Sequence, residues 1–158
     1  MIRKIISNLV RKTIRFVCGY MPEYKTSGSA CFDLQAHTTH TLRKNELFNF
    51  GTDLRCEIPN GWCLLVFARS SLGQKKLIIP NSVGVIDSDY RGQIKVPILS
   101  LNDEDVTIEK GQRIAQALLV RAEHAFLQRA TSLSDTTRGE GLLSVHDNRN
   151  QLPLQNSG

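Results

Sequence analysis

Apolar residues recur along this chain in short runs, and several of these runs alternate with polar residues. Alternation places every second side chain on the same face, which is typical of a half-buried β-strand. Turn-forming groups such as Pro59-Asn60-Gly61 and Glu109-Lys110-Gly111 separate the runs. The pattern predicts an all-β fold, closed into a sandwich, barrel or jelly roll, without a long amphipathic helix in its interior. The predicted strands are Ile14–Cys18, Phe32–Ala36, Leu47–Phe50, Leu54–Ile58, Trp62–Phe67, Leu77–Ile79, Gln93–Leu99, Val106–Ile108 and Ile114–Val120.

The stretch Asn81–Val96, which reads NSVGVIDSDYRGQIKV, gathers unlike residue types into one short interval. Its apolar ends predict two strands, and the segment DSDYRG between them is rich in turn-forming residues. We expect a β-hairpin with the carboxylate of Asp87 and the ring of Tyr90 at its mouth. A small ligand could pair there with main-chain groups and stack on the ring. The alternative is an ordinary exposed turn.

Three further motifs place polar side chains where strands begin or end. Asp33 stands between apolar neighbours in GSACFDLQA, residues 28–36, and Arg69 opens the polar group of ARSSLG, residues 68–73. Arg113 and Gln116 interrupt the apolar strand GQRIAQALLV, residues 111–120. Guanidinium, hydroxyl and free N–H groups at a strand end suit phosphate oxygens. Each motif also has an ordinary explanation: a turn carboxylate, a helix N-cap at Ser70, or side chains that face water from an edge strand.

Composition narrows the class of protein without naming a function. The 158 residues suit one domain, for which ~100–200 is usual. Hydrophobic residues make up 41% and charged residues 22%, which is typical of a globular protein with one core. The net charge is +5, and the basic residues are distributed along the chain rather than concentrated in runs. We therefore expect no nucleic-acid partner. No apolar run approaches the ~18 residues of a membrane helix, so we expect no membrane partner either.

The four cysteines, at positions 18, 31, 56 and 63, lack the spacing of a zinc ribbon or a thioredoxin pair. We interpret them as small buried hydrophobes in a reducing compartment, and expect a cytoplasmic protein. Residues 1–13 combine apolar and basic side chains and predict a basic leader or first strand. Residues 14–130 form the predicted β domain. The hydrophobic pattern fades over 131–158, which predicts a flexible C-terminal arm.

Together the four motifs resemble, in order and spacing across residues 28–120, those of the trimeric dUTP pyrophosphatases, or dUTPases. The resemblance implies a jelly-roll-like β-barrel subunit and a homotrimer whose three active sites are shared between subunits. It implies hydrolysis of dUTP, with Mg²⁺, to dUMP and pyrophosphate. That reaction limits uracil in DNA and supplies dUMP for dTMP synthesis.

The resemblance also implies roles for individual residues. Asp87 matches the catalytic carboxylate that orients the attacking water, and Asp33 matches the carboxylate that holds Mg²⁺ through a water. Tyr90 matches the ring beneath the deoxyribose, and Arg113 matches a residue that braces the assembly. The other implied substrate-binding residues are Arg69, Ser70, Ser71, Gln116 and Arg138 around the phosphates, Asn81, Val85, Ile86 and Lys95 around the uracil, and Gly73 and Gly84, which fit the second and third motifs.

The chain departs from the family within a fifth motif, which begins correctly at Arg138–Gly141. Leu143 then stands where the family has a Phe that covers the uracil ring, and the Gly-rich run around it is missing. We expect an arm that closes poorly and an enzyme of reduced turnover. One alternative is a dUTPase-fold module that binds nucleotide or a protein partner with little turnover. Another is a deoxycytidine triphosphate deaminase, against which Pro97 and Tyr90 argue.

Overall fold

The computed structural model describes residues 12–140, which contain eleven strands and one short helix. The all-β prediction is confirmed. The helix α1 spans Ser70–Gln74. The strands are β1 (Arg15–Cys18), β2 (Phe32–Gln35), β3 (His40–Leu42), β4 (Leu47–Gly51), β5 (Leu54–Glu57), β6 (Trp62–Ala68), β7 (Leu77–Ile78), β8 (Val83–Ile86), β9 (Lys95–Ser100), β10 (Val106–Ile108) and β11 (Arg113–Arg121).

Of these elements, β3 was not predicted from the sequence, and α1 was considered only as the alternative in which Ser70 caps a helix. Each is short and buries one side chain, Leu42 in β3 and Leu72 in α1. Periodicity identifies an element only when several buried positions repeat. Neither element is long enough to show such a repeat.

Antiparallel pairing brings distant motifs together in the largest sheet, whose order is β2-β11-β6-β8. Gln116 of β11 lies opposite Asp33 of β2 on one side and Phe67 of β6 on the other. Ile86 of β8 lies opposite Leu64, towards the other end of β6. The register therefore places three motifs at one end of β6 and carries the Asp87 turn to the opposite end. The smaller sheets of the described region are β4-β9-β7, β1-β5 and β10-β3.

The predicted hairpin of Asn81–Val96 is wrong in its pairing. β8 pairs with β6, whereas β9 pairs with β4 along Lys95–Leu99 and with β7 at Leu99–Ser100. Each strand thus finds a partner in a different sheet, and the two strands diverge after the turn. A cavity lies between them instead of a ladder of hydrogen bonds.

Alternating burial along the strands builds the core of the first of two compact units, Met1–His124. β2 and β5 each bury every second residue, and Leu34, Phe50 and Leu54 are fully buried. Fully burying such a side chain contributes about 1.5–3 kcal/mol. No helix within residues 12–140 combines the length and the apolar character needed to cross a membrane.

The second compact unit is Ala125–Gly158, of which residues 125–140 are described. These residues contain neither a helix nor a strand. They include one turn, in which the Gly139 N–H donates to the carbonyl oxygen of Thr136 at 3.1 Å.

Candidate active site

The first group of predicted site residues forms a phosphate cluster, by which we mean Asp33, Arg69, Ser70, Ser71 and Gln116. Strand adjacency assembles it, because β2, β11 and β6 are neighbours and each contributes at the same end. The Gln116 side-chain amide donates to the carbonyl oxygen of Ala68 at 3.1 Å. That bond holds the amide beside the boundary between β6 and α1.

Asp33 is the anchor of this cluster. Its Oδ1 lies 3.0 Å from Nε of Arg69, and its Oδ2 accepts a hydrogen bond from a guanidinium nitrogen of Arg113 at 3.0 Å. The Asp33 side chain is only 13% exposed, so both contacts are partly shielded from water. Charge-assisted bonds of this kind are stronger than neutral ones. One carboxylate therefore holds two arginines in place at the strand ends.

Arg113 was expected to brace the assembly, and the structure gives it a contact within the cluster. The register between β11 and β2 shifts between Arg113 and Ala115, which is the mark of a β-bulge or irregularity. A bulge re-aims the side chain beside it. The sequence already marked Arg113 as unusual, because Arg113 and Gln116 interrupt an otherwise apolar run.

The two serines stand at the start of α1 with exposed side chains. Ser70 is the first helical residue, and Arg69 occupies the N-cap position without a side-chain capping bond. The alternative of Ser70 as the N-cap is therefore wrong by one residue. Gly73 lies inside α1, and a β-carbon there would meet no atom within 4 Å. The described residues give no steric reason for a glycine at that position.

Mg²⁺ fits this cluster through water rather than through a direct protein cage. Each oxygen of Asp33 already faces one guanidinium. A carboxylate offers about four acceptor positions, so each oxygen can still accept from a metal-bound water. No group of three or more His, Cys, Asp or Glu residues within 12–140 could hold a metal by itself. Such a site would rely on substrate phosphates, which are common ligands of Mg²⁺.

The second group of predicted residues lines a cavity of about 210 Å³, the β8–β9 cavity. Asp87 and Tyr90, which were expected at the mouth of a hairpin, line this cavity instead, and the strands beside them do not pair with each other. The Tyr90 hydroxyl donates to the carbonyl oxygen of Gln93 at 3.1 Å, and Arg91 donates to the carbonyl of Ser88 at 2.7 Å. The lining residues are Val85, Ile86, Asp87, Tyr90, Gln93, Ile94 and Lys95.

Four residues of this stretch do not match the prediction. Gln93 and Ile94 line the cavity and were not predicted. Asn81 and Gly84 were predicted but are not among the lining residues. Gly84 faces β6, where a β-carbon would lie 3.3 Å from Cβ of Val66. Its small size therefore serves strand packing.

The phosphate cluster and the β8–β9 cavity lie far apart within one chain. Ile86 pairs with Leu64, so Asp87 lies level with the start of β6, whereas Arg69 follows its end. About six residue positions separate them, and at ~3.3 Å per residue this is roughly 20 Å along the strand. A larger cavity of about 560 Å³, between Lys12, the 24–30 loop and Leu118-Leu119, contains none of the predicted site residues.

The remaining predictions about the site concern the chain's end and its cysteines. Arg138 belongs to the second unit, and its role stays a prediction. Leu142, Leu143 and Ser144 lie outside the described residues. Burial, and then the charge of Asp33, raise the pKa of the Cys31 thiol, so it stays protonated near neutral pH. All four cysteines are free thiols.

Known proteins resemble this chain in both sequence and fold. The dUTPase family model matches residues 19–144. The deoxyuridine 5'-triphosphate nucleotidohydrolase of Rickettsia felis is 36% identical over 139 residues, covering 86% of this chain and 94% of that protein. The enzyme of the same name from Finegoldia magna is 38% identical over 124 residues, covering 77% and 87% respectively.

Solved structures confirm the jelly-roll-like dUTPase architecture. The dUTPase of Staphylococcus bacteriophage 80alpha with dUPNHPP superposes with a TM-score of 0.74 at 25% identity, covering 81% of this chain and 94% of that one. The Streptococcus mutans dUTPase gives 0.66 at 26% identity, covering 72% and 98%. The extent of the family match and the identity of the relatives lead to one conclusion: this chain belongs to the dUTPase family.

Proposed function

We propose that this protein hydrolyses dUTP to dUMP and pyrophosphate, in the cytoplasm and with Mg²⁺. The observation that carries the proposal is the presence of two complementary half-sites. One is a cavity lined by a carboxylate and a tyrosine, and the other is a cluster of guanidinium, hydroxyl and amide groups. The named relatives favour a hydrolase over a module that only binds nucleotide.

The separation of the half-sites supports a homotrimer with shared active sites. A base acts within about 2.6–3.2 Å of the proton it takes, directly or through one water. The roughly 20 Å between Asp87 and Arg69 along β6 is too long for both to serve one triphosphate within a single chain. A closed ring of three subunits lets the cavity of one chain face the phosphate cluster of the next.

Asp87 is the residue we assign to the chemical step. Its exposed carboxylate holds a water near the α-phosphorus and accepts a proton as the water oxygen forms its bond. The bond from the α-phosphorus to the bridging oxygen then breaks, and pyrophosphate leaves. Arg69, Ser70, Ser71 and Gln116 meet the charge that develops on the phosphate oxygens. When bound, Mg²⁺ would supply further charge neutralisation.

Two parts of the β8–β9 cavity select the nucleotide. Tyr90 lies beneath the deoxyribose and excludes a 2′-hydroxyl by steric clash. Main-chain groups of Val85, Ile86 and Lys95 pair with the uracil edge. Cytosine presents the opposite pattern of donors and acceptors, so its binding would leave buried polar groups unpaired.

Pyrophosphate release tests the proposal directly. The protein should release pyrophosphate from dUTP in the presence of Mg²⁺, and much less from dCTP, dTTP or UTP. Removing the metal with a chelator should suppress the reaction, and adding Mg²⁺ back should restore it. Release from all four nucleotides at equal rates, or from none, would contradict the proposal.

A further inference from the structure

We infer that Gly92 is a specificity-determining residue, which fixes the ring of Tyr90 and thereby sets the preference for deoxyribose over ribose. The inference rests on the proposed function and extends it to a residue without a functional group. The geometry of the turn that follows Asp87 carries the argument.

The phenol of Tyr90 occupies the space that a side chain at position 92 would fill. A β-carbon built on Gly92 would lie 2.5 Å from Cζ and 3.0 Å from Cε2 of Tyr90, and closer still to its hydroxyl oxygen. Observed β-carbon contacts essentially never fall below 3.0 Å. Any other residue at position 92 therefore requires a shift, and the atoms that it would meet are all distal atoms of the Tyr90 side chain.

Backbone freedom does not explain this glycine. Gly92 is not among the glycines with a positive φ, which are Gly61, Gly111 and Gly139. An alanine can adopt its backbone conformation without the strain of the left-handed region. The absence of a side chain is therefore the property that matters at position 92.

Displacing the ring changes a wall of the β8–β9 cavity. Tyr90 is 43% exposed, and its side chain is held by the hydrogen bond to Gln93 and by its packing on Gly92. Exclusion of a 2′-hydroxyl depends on where the ring lies, because a steric clash vanishes when the blocking group moves. A ring pushed off Gly92 should admit ribose more readily and hold deoxyribose less well.

The test compares Gly92→Ala with Gly28→Ala. Gly28 also lacks a positive φ, and a β-carbon there would meet no atom within 4 Å. The readouts are kcat/KM for dUTP and UTP and the Kd of their non-hydrolysable imido analogues. We expect the dUTP-to-UTP ratio to fall by at least about tenfold in Gly92→Ala. It should be unchanged in Gly28→Ala.

A double-mutant cycle separates an effect through Tyr90 from a general loosening of the turn. If Gly92 acts through the ring, Gly92→Ala should have no further effect on the ratio in a Tyr90→Ala background. An equal fall in both backgrounds, or an unchanged ratio in Gly92→Ala, would overturn the inference. If Gly92→Ala does not fold, the Gly92→Ala/Tyr90→Ala double variant still tests the contact, because removing the ring removes the clash. A double variant that also fails to fold, while Tyr90→Ala folds, would overturn the inference.

The proposed function and this inference fail in different ways. If the native protein does not hydrolyse dUTP, the proposed function falls, while analogue binding still reports on the ring. If the native protein prefers dUTP and Gly92→Ala keeps that preference, only the inference falls. If neither analogue binds the native protein, both are contradicted.

Discussion

The phosphate cluster and the β8–β9 cavity are built in opposite ways. The cluster draws residues from three separate parts of the chain, and strand register brings them together. Asp33 then cross-links two arginines at 3.0 Å each. The cavity comes from one continuous stretch, whose two strands separate because each pairs in a different sheet. Its tyrosine is held by local contacts within a single turn.

This difference predicts which property each substitution changes. In the cluster, the polar groups also hold the ends of three strands together, so substitution should lower stability as well as binding. In the cavity, Asp87 and Tyr90 are exposed and their backbone is anchored by neighbouring strands. Substitution there should change chemistry or selectivity while leaving the fold intact.

The largest effect should follow Asp87→Asn in the cavity. The change keeps the shape of the side chain but removes the base, whose contribution is typically 10²–10⁴-fold. We expect turnover of dUTP to be abolished or to fall by about that factor, while Kd for a non-hydrolysable analogue changes little. Asp89→Asn is the matched control, because Asp89 lies in the same turn but does not line the cavity. Unchanged turnover in Asp87→Asn would remove Asp87 from its assigned role.

Substitutions in the C-terminal arm should have the next largest effect, which appears in nucleotide binding. They test whether the arm forms a third part of the active site. Replacing Leu142→Gly, Leu143→Phe and Ser144→Gly restores the residues implied by the family. Stacking on uracil is worth ~1–3 kcal/mol, so binding of a dUTP analogue should tighten by about five- to 150-fold.

Removal of everything after Ser134 should change native turnover little. Fast native turnover that collapses on truncation would show that the native arm already closes.

Asp33→Asn should have a smaller effect, which appears in the free energy of unfolding. The change leaves Arg69 and Arg113 without their anionic partner in a half-buried setting, which should lower the free energy of unfolding by about 1–3 kcal/mol. Urea denaturation measures this. Glu57→Gln is the control, because the Arg15–Glu57 pair is 79% and 46% exposed and should contribute at most about 1 kcal/mol. Equal losses in both variants would contradict a special role for the Asp33 cross-link.

Local features of the chain could be predicted from sequence, and pairing could not. Asp87 and Tyr90 were placed together in one turn, because turn-forming residues between apolar runs are a short-range signal. The pairing of β8 with β6 was missed, because it depends on which strand edges remain free in the folded sheet. The same limit hid the contact between Arg113 and Asp33, which are 80 residues apart in the chain.

The central claim is that one active site combines the cavity of one chain with the phosphate cluster of another. Co-expression of Asp87→Asn chains with Ser70→Ala/Gln116→Ala chains tests it most directly, since each variant alone should be nearly inactive. In randomly mixed trimers, about a quarter of the sites should pair an intact cavity with an intact cluster, so activity should recover to about a quarter of the native value. Mixing Asp87→Asn with Tyr90→Ala, which damages the same half, should recover no activity beyond that of Tyr90→Ala alone. If the cross-half mixture stays as inactive as its components, the sites are not shared and the account is contradicted.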